Sequence, residues 1–239
     1  MLKRSITMYG IVAVLLVTSI LCVQRINSVS VPVSVVSSVK SEFPVIIIDA
    51  GHGGVDGGSV GADGTVEKDI NLSIALKLQD VLEFYGFETV MIRDEDKSIH
   101  SPDAETIREK KVSDLHNRLN IINSTENCLF ISIHQNYFEQ SKYSGAQVFY
   151  SPNNEDSEHL AEVMQKTIVD TIQNDNTRQI KRADKTLYLL HNAQNPAIMI
   201  ECGFMSNENE LSLLKADDYQ KQLALSICNG ILKYMESAE

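Results

Sequence analysis

The chain has 239 residues, 43% of them apolar and 22% charged, which is ordinary globular usage and excludes a disordered chain. Its net charge is −11, and all 32 acidic side chains lie beyond residue 25, whereas Lys3, Arg4 and Arg25 do not. The main part is therefore strongly acidic, which argues against a nucleic-acid partner.

Lys3 and Arg4 open the chain, and residues 5–24 then carry no charge. The apolar run at 11–23 (IVAVLLVTSILCV) predicts a signal peptide or N-terminal membrane anchor over residues 1–25. A basic pair before such a run favours an N-in orientation, which puts the bulk of the protein outside the cytoplasm. The Ser/Val tract that follows reads as a linker over 26–42, joined to a catalytic-sized domain over 43–239.

Within that domain the β-branched run at 45–48 predicts a buried strand. Residues 68–85 predict a helix with Leu72, Ala75, Leu76, Val81 and Leu82 on its apolar face and Gly86 as its stop. A strand at 87–92 follows. A helix at 113–125 is suggested by Leu115, Leu119 and Ile122. Strands are predicted at 128–133 and 146–150, a helix at 155–174, strands at 187–190 and 197–200, and a closing helix at 217–235. This alternation predicts a single α/β domain with a mostly parallel central sheet flanked by helices.

Three of the predicted strands end on polar residues. The first runs into Asp49-Ala50-Gly51-His52, the strand at 128–133 into His134, and the strand at 197–200 into Glu201. Sites in open α/β sheets lie beyond the carboxyl ends of the strands, so these groups are expected to converge. Two histidines and a carboxylate suit metal-assisted hydrolysis: three protein ligands, a water, and a nearby carboxylate as general base. Glu67, at the start of the first helix, is the best third ligand. Spacing alone does not select it among 32 acids, and complementing the helix dipole explains it equally well. Glu201 follows Ala-Ile-Met-Ile, where a carboxylate is costly unless it is paired or bound. His191 also follows an apolar run and is a candidate to line the site or to act as an alternative ligand, whereas His100, His116 and His159 read as solvated. Cysteines occur at 22, 128, 202 and 228; the odd number beyond the first segment is no disulfide framework and suggests buried thiols.

Four segments in order, IIIDAGHGG (46–54), VEKDINL (66–72), SIHQN (132–136) and IECGFMSN (200–207), resemble the signatures of zinc-dependent N-acetylmuramoyl-L-alanine amidases of the amidase_3 family. The resemblance implies one zinc ion held by His52, Glu67 and His134, and a water activated by Glu201. It also implies that Asn136 shapes the substrate site, and that the bond cut is the amide between the lactyl group of N-acetylmuramic acid and L-alanine in peptidoglycan. Arg118 and Asn123 match an R-x-x-x-A-N pattern with Ile122 in place of alanine, and Arg93 matches a T-R pattern with Ile92 in place of threonine. Those departures fall on packing positions.

A short membrane segment followed by one such domain is similar in layout to the sporulation amidases of the CwlD type. That likeness implies action in the forespore intermembrane space, on the spore cortex, before germination. The expected partners are peptidoglycan and the membrane through the N-terminal segment; some amidases of the family also depend on an accessory activator protein, and that dependence is open for this chain. The competing readings are a zinc carboxypeptidase acting on wall peptides and a catalytically silent wall-binding domain.

Overall fold

A computed structural model describes residues 43–237. The expectations for residues 1–25 and 26–42 lie outside the described residues. Among those described, no helix is long and apolar enough to cross a membrane.

Six strands form one sheet: β1 (Val45–Ala50), β2 (Thr89–Met91), β3 (Cys128–Asn136), β4 (Gln147–Tyr150), β5 (Lys181–Arg182) and β6 (Ala197–Phe204), in the order β2-β1-β3-β6-β4-β5. Every pairing is parallel except that of β4 with β6. The helices are α1 (Glu67–Phe84), α2 (Ile107–Ser124), α3 (Asp156–Ile172), α4 (Tyr188–Asn192), α5 (Glu208–Lys215) and α6 (Asp217–Ser237).

Alternation along each strand sends successive side chains to opposite faces. Ile46, Ile48, Ile131, Ile133, Ile198 and Ile200 join the larger core cluster, together with the buried faces of α1, α3 and α6. Ile47, Phe130, Ala197 and Met199 join a smaller cluster on the other face, with Ile122 of α2 and Leu190 of α4. By the same alternation Asp49, Ser132, His134 and Glu201 point to this thinner face, at the carboxyl ends of β1, β3 and β6. The thinner cover leaves that strand edge accessible to a ligand.

Helix α1 ends as expected, with Gly86 at φ +87° and its amide donating to the Glu83 carbonyl. Its buried residues are Glu67, Ile70, Asn71, Ile74, Ala75, Leu78 and Leu82. Glu67 is thus the first position of the helix's own inward stripe, and that register sends its carboxylate into the interior.

Four elements differ from the sequence expectation. Residues 188–192 are helical rather than a strand, because a short apolar run does not itself distinguish the two states. An Asp184 turn, accepting from the Thr186 amide, introduces that helix. Helix α2 begins six residues earlier than the apolar spacing indicates, at a Thr106/Glu109 capping box. Its inward stripe is Asp114, Arg118 and Ile122, while Leu115 is exposed. Helix α5 and the two-residue β5 were not expected; Asn207 caps α5 by accepting from the Asn209 and Glu210 amides.

The polar stripe of α2 has a clear target. Arg118 donates through Nη1 to Asp49 Oδ1 at 2.5 Å, through Nε to Asp114 Oδ2 at 2.7 Å, and through Nη2 to the His52 carbonyl at 2.7 Å. Ser132 Oγ donates to the other Asp49 oxygen at 2.6 Å. Burial alone would raise the Asp49 carboxyl, but Arg118, together with His134 and Ser132, holds it below the usual carboxylate range. Arg118→Met would strand two carboxylates in the interior, so we expect a loss of about 3–5 kcal/mol in urea unfolding. A loss below about 1 kcal/mol would show that the cluster is not a structural centre.

Candidate metal centre

His52 sits just beyond β1 with φ at +63°, a left-handed conformation that few residues other than glycine adopt. The carbonyls around it are held by two buried guanidinium groups. Arg93 donates through Nε to the Ala50 carbonyl at 2.7 Å, and through Nη2 to those of Gly51 at 3.0 Å and Lys68 at 2.8 Å. Arg118 takes the His52 carbonyl and also reaches that of Ala50 at 3.2 Å. The turn is pinned along its length, and the imidazole leaves it in a fixed direction.

That direction leads to Glu67. His52 Nε2 lies 3.2 Å from Glu67 Oε1, and His134 Nδ1 lies 3.0 Å from the same oxygen. The imidazoles of His52 and His134 meet edge to face, with centroids 4.9 Å apart. One ligand atom from each of the three residues falls within 4.8 Å of the other two, a grouping able to hold a metal ion. Glu67 is itself fixed, accepting from the amides of Ser59 at 2.8 Å and Gln135 at 3.1 Å and from Asn71 Nδ2 at 3.3 Å. On the far side of His52, Nδ1 lies 3.0 Å from Asp56 Oδ2, and Lys111 Nζ holds the other Asp56 oxygen at 2.7 Å. A carboxylate behind a histidine fixes its tautomer and points the second nitrogen at the metal position.

The centre is packed too closely for side chains at two glycines. A Cβ at Gly51 would come within 2.2 Å of His134 Nε2. One at Gly58, where φ is +71°, would come within 2.5 Å of Glu67 Oε2 and 2.6 Å of His52 Cδ2.

Glu201 stands opposite His134 in the register of β3 and β6. Its Oε2 is buried and has no hydrogen-bond partner among the described residues. Burial pushes its carboxyl up to about 7, against the opposing pull of His134. A buried orphan acceptor beside two histidines and a carboxylate fits a site that receives a polar ligand, and a carboxyl near neutrality fits proton transfer.

Of the other sequence candidates, Asn136 ends β3 and lines a pocket with Phe138, Gln147 and Arg178. His191 is exposed on α4, outside the group of three. Cys128, Cys202 and Cys228 are buried free thiols, and burial raises the thiol of each. Cys202 is thus a packed neighbour of Glu201, not a nucleophile. Sequence reasoning missed Asp56. The only signal was its place four residues after His52, in a loop with many competing polar groups. It also treated Arg93 and Arg118 as pattern matches without seeing the carbonyls they hold.

A family model for N-acetylmuramoyl-L-alanine amidases of the amidase_3 type matches residues 46–233. The chain belongs to this family. It is 38% identical over 190 residues to the germination-specific N-acetylmuramoyl-L-alanine amidase of Bacillus subtilis, a match spanning 80% of this chain and 79% of that one. Among solved structures, the CwlD amidase of Clostridioides difficile, determined in complex with the GerS lipoprotein, is 42% identical. It superposes with a TM-score of 0.78 over 81% of this chain and 99% of that one. The amidase AmiC2 of Nostoc punctiforme is 30% identical, with a TM-score of 0.69 over 81% and 97% of the two chains. The α/β fold and the amidase chemistry are therefore those of the family, with peptidoglycan as the substrate class and the cell wall as the place of action.

Two outcomes test the geometry. Burial works to lower the His52 imidazole, but Asp56 and Glu67 outweigh it and raise it from 6.5 to about 9. A raised folded pKa contributes stability that is complete below the unfolded value and lost as pH rises through the folded one. The metal-free protein should therefore lose this contribution between about pH 6.5 and 9. With a divalent metal the trend should reverse, because the ligand form of histidine is the neutral one. Thermal unfolding across that range, with chelator and with metal, gives both slopes; parallel slopes would contradict the His52 assignment. Separately, Gly51→Ala should weaken metal binding by about 10–100-fold, the usual cost of misplacing a ligand's support. Dialysis against a metal buffer measures it.

Proposed function

We propose that this chain is a zinc amidase of the germination-specific, CwlD-like kind. In this reading His52, Glu67 and His134 hold one zinc ion, and Glu201 is the catalytic acid and base. The observation that carries it is the buried, unpartnered Glu201 Oε2 in register with His134, beside a three-residue ligand group. Two neutral imidazoles and one carboxylate are a common catalytic zinc donor set. When bound, zinc supplies Lewis-acid polarisation of the amide carbonyl and makes the attacking water more acidic.

The chain's own residues do the rest. Glu201 accepts a proton from the water as it adds to the lactyl carbonyl carbon. It returns that proton to the alanine nitrogen as the C–N bond breaks, leaving a carboxylic acid and a free amine. Asp56 keeps His52 in the tautomer that presents Nε2 inward, and the Ser59 and Gln135 amides orient Glu67. Burial raises the Glu67 carboxyl, but the two histidines more than offset this and hold it low. Asn136, at the rim, contacts substrate.

The wider setting follows the relatives. The sequence reading of residues 1–25 as a leader or anchor agrees with action outside the cytoplasm, and the forespore intermembrane space and cortex are the place a germination-specific enzyme requires. The C. difficile enzyme was solved with a lipoprotein bound. An accessory activator of that type is part of the proposal. Glu201→Gln should lower kcat by about 10²–10⁴ while one zinc per chain is retained, as read by metal analysis beside muropeptide turnover. Mass spectrometry should show peptide-free muramic acid from the wild type. Release of free D-alanine instead would favour a carboxypeptidase.

A further inference from the structure

The sheet register brings a second set of groups to the same face as the metal centre. Gln147 of β4 stands opposite Glu201, while Phe149 stands opposite both Met199 of β6 and Lys181 of β5. At about 4.8 Å per strand, Lys181 lies roughly 10 Å across the sheet from Met199 and one side-chain row below the catalytic row. Between these rows lies a pocket lined in part by Asn136, Gln147, Phe149, Arg178, Lys181 and Phe204.

Arg178 is held in place, and its charge acts on Glu210 and Glu201 without a direct ion pair among the described residues. Its Nη2 donates to Gln147 Oε1 at 2.5 Å, and its guanidinium lies 4.8 Å from the centre of the Phe204 ring. Its Nε is buried without a hydrogen-bond partner among the described residues. The neighbouring carboxylate, Glu210, accepts instead from the amides of Gly145 and Phe204. Lys181 Nζ sits 5.9 Å from the centre of the Phe149 ring. Neither cation forms an ion pair among the described residues, in a chain whose net charge is −11. A stacked, oriented guanidinium with a spare buried donor is preorganised for a carboxylate, and a second cation nearby strengthens that preference.

The substrate carries its charge on one side only. Forming the scissile amide consumes the lactyl carboxylate, so the carbohydrate side is neutral until cleavage, while the peptide side ends in a free carboxylate. We propose that this pocket binds a carboxylate of the peptide on the leaving-amine side, with Arg178 and Lys181 as its specificity-determining pair. The proposal rests on the amidase reading. It fixes the direction of the bound substrate: peptide toward β4 and β5, glycan away from them.

The test compares a muropeptide bearing free peptide carboxylates with the same molecule amidated, using the full zinc-loaded chain. Arg178→Gln and Lys181→Gln should each raise KM for the free acid about tenfold, the loss of one charge-assisted hydrogen bond, with kcat little changed. Neither should alter KM for the amidated substrate, and Arg178→Lys should recover part of the loss. Equal losses on both substrates, or none on either, would overturn the proposal. Titration with the released peptide, as free acid and as amide, asks the same question without turnover. The free acid should bind the wild type about tenfold more tightly than either Gln variant, while the amide does not discriminate; no difference would overturn the proposal. A wild type that binds the acid selectively but cuts neither muropeptide would defeat the amidase reading alone.

Discussion

The site depends on a strained turn whose carbonyl oxygens are held by two buried guanidinium groups. His52 occupies a left-handed conformation that costs an L-residue about 1 kcal/mol or more. Arg93 and Arg118 meet that cost by taking the carbonyls of Ala50, Gly51 and His52. Burying two cations side by side is itself unfavourable, and both burial and Arg118 push the Arg93 guanidinium downward. Asp49 and Asp114 supply the compensating charge through Arg118. The buried ionic cluster thus serves position more than stability, since it fixes the direction in which one imidazole leaves the strand.

A sequence of consequences follows from that fixed direction. With His52 set by the turn and His134 set by β3, the first inward position of α1 places a carboxylate between them. Each group then holds the other. Glu67 raises His52, and the two histidines keep Glu67 ionised. The same strand alternation that puts His134 on the thinly covered face also puts Glu201 there, one strand over, with its Oε2 unpartnered among the described residues. His134 and the proposed base Glu201 thus arise from one geometrical rule, the pleat, applied at the carboxyl ends of two adjacent parallel strands, whereas His52 comes from the turn and Glu67 from the helix.

Much of this was legible in the sequence because parallel strands buried on both faces read as continuous apolar runs, and the polar residues that end them stand out. His52, His134 and Glu201 were visible on that basis alone. Glu67 was not separable from other acids by spacing, since its burial comes from the phase of α1 relative to the sheet, and the family signatures singled it out. Asp56, Arg93 and Arg118 act through backbone carbonyls and a second layer of contacts that no periodicity reports. The inward stripe of α2 was misread for a related reason. Leu115 and Leu119 suggested an apolar face, whereas the helix turns Asp114 and Arg118 inward to meet Asp49. The strand expected at 187–190 failed because four apolar residues are too few to set a period.

The most direct measurement is a crystal structure of the zinc-loaded protein with anomalous data collected on both sides of the zinc edge. The geometry predicts one strong peak in contact with His52, Glu67 and His134, with Glu201 beside it but not ligating. A peak that includes His191 or Glu201 in place of one of the three, or one lying away from the turn held by Arg93 and Arg118, would contradict the assignment.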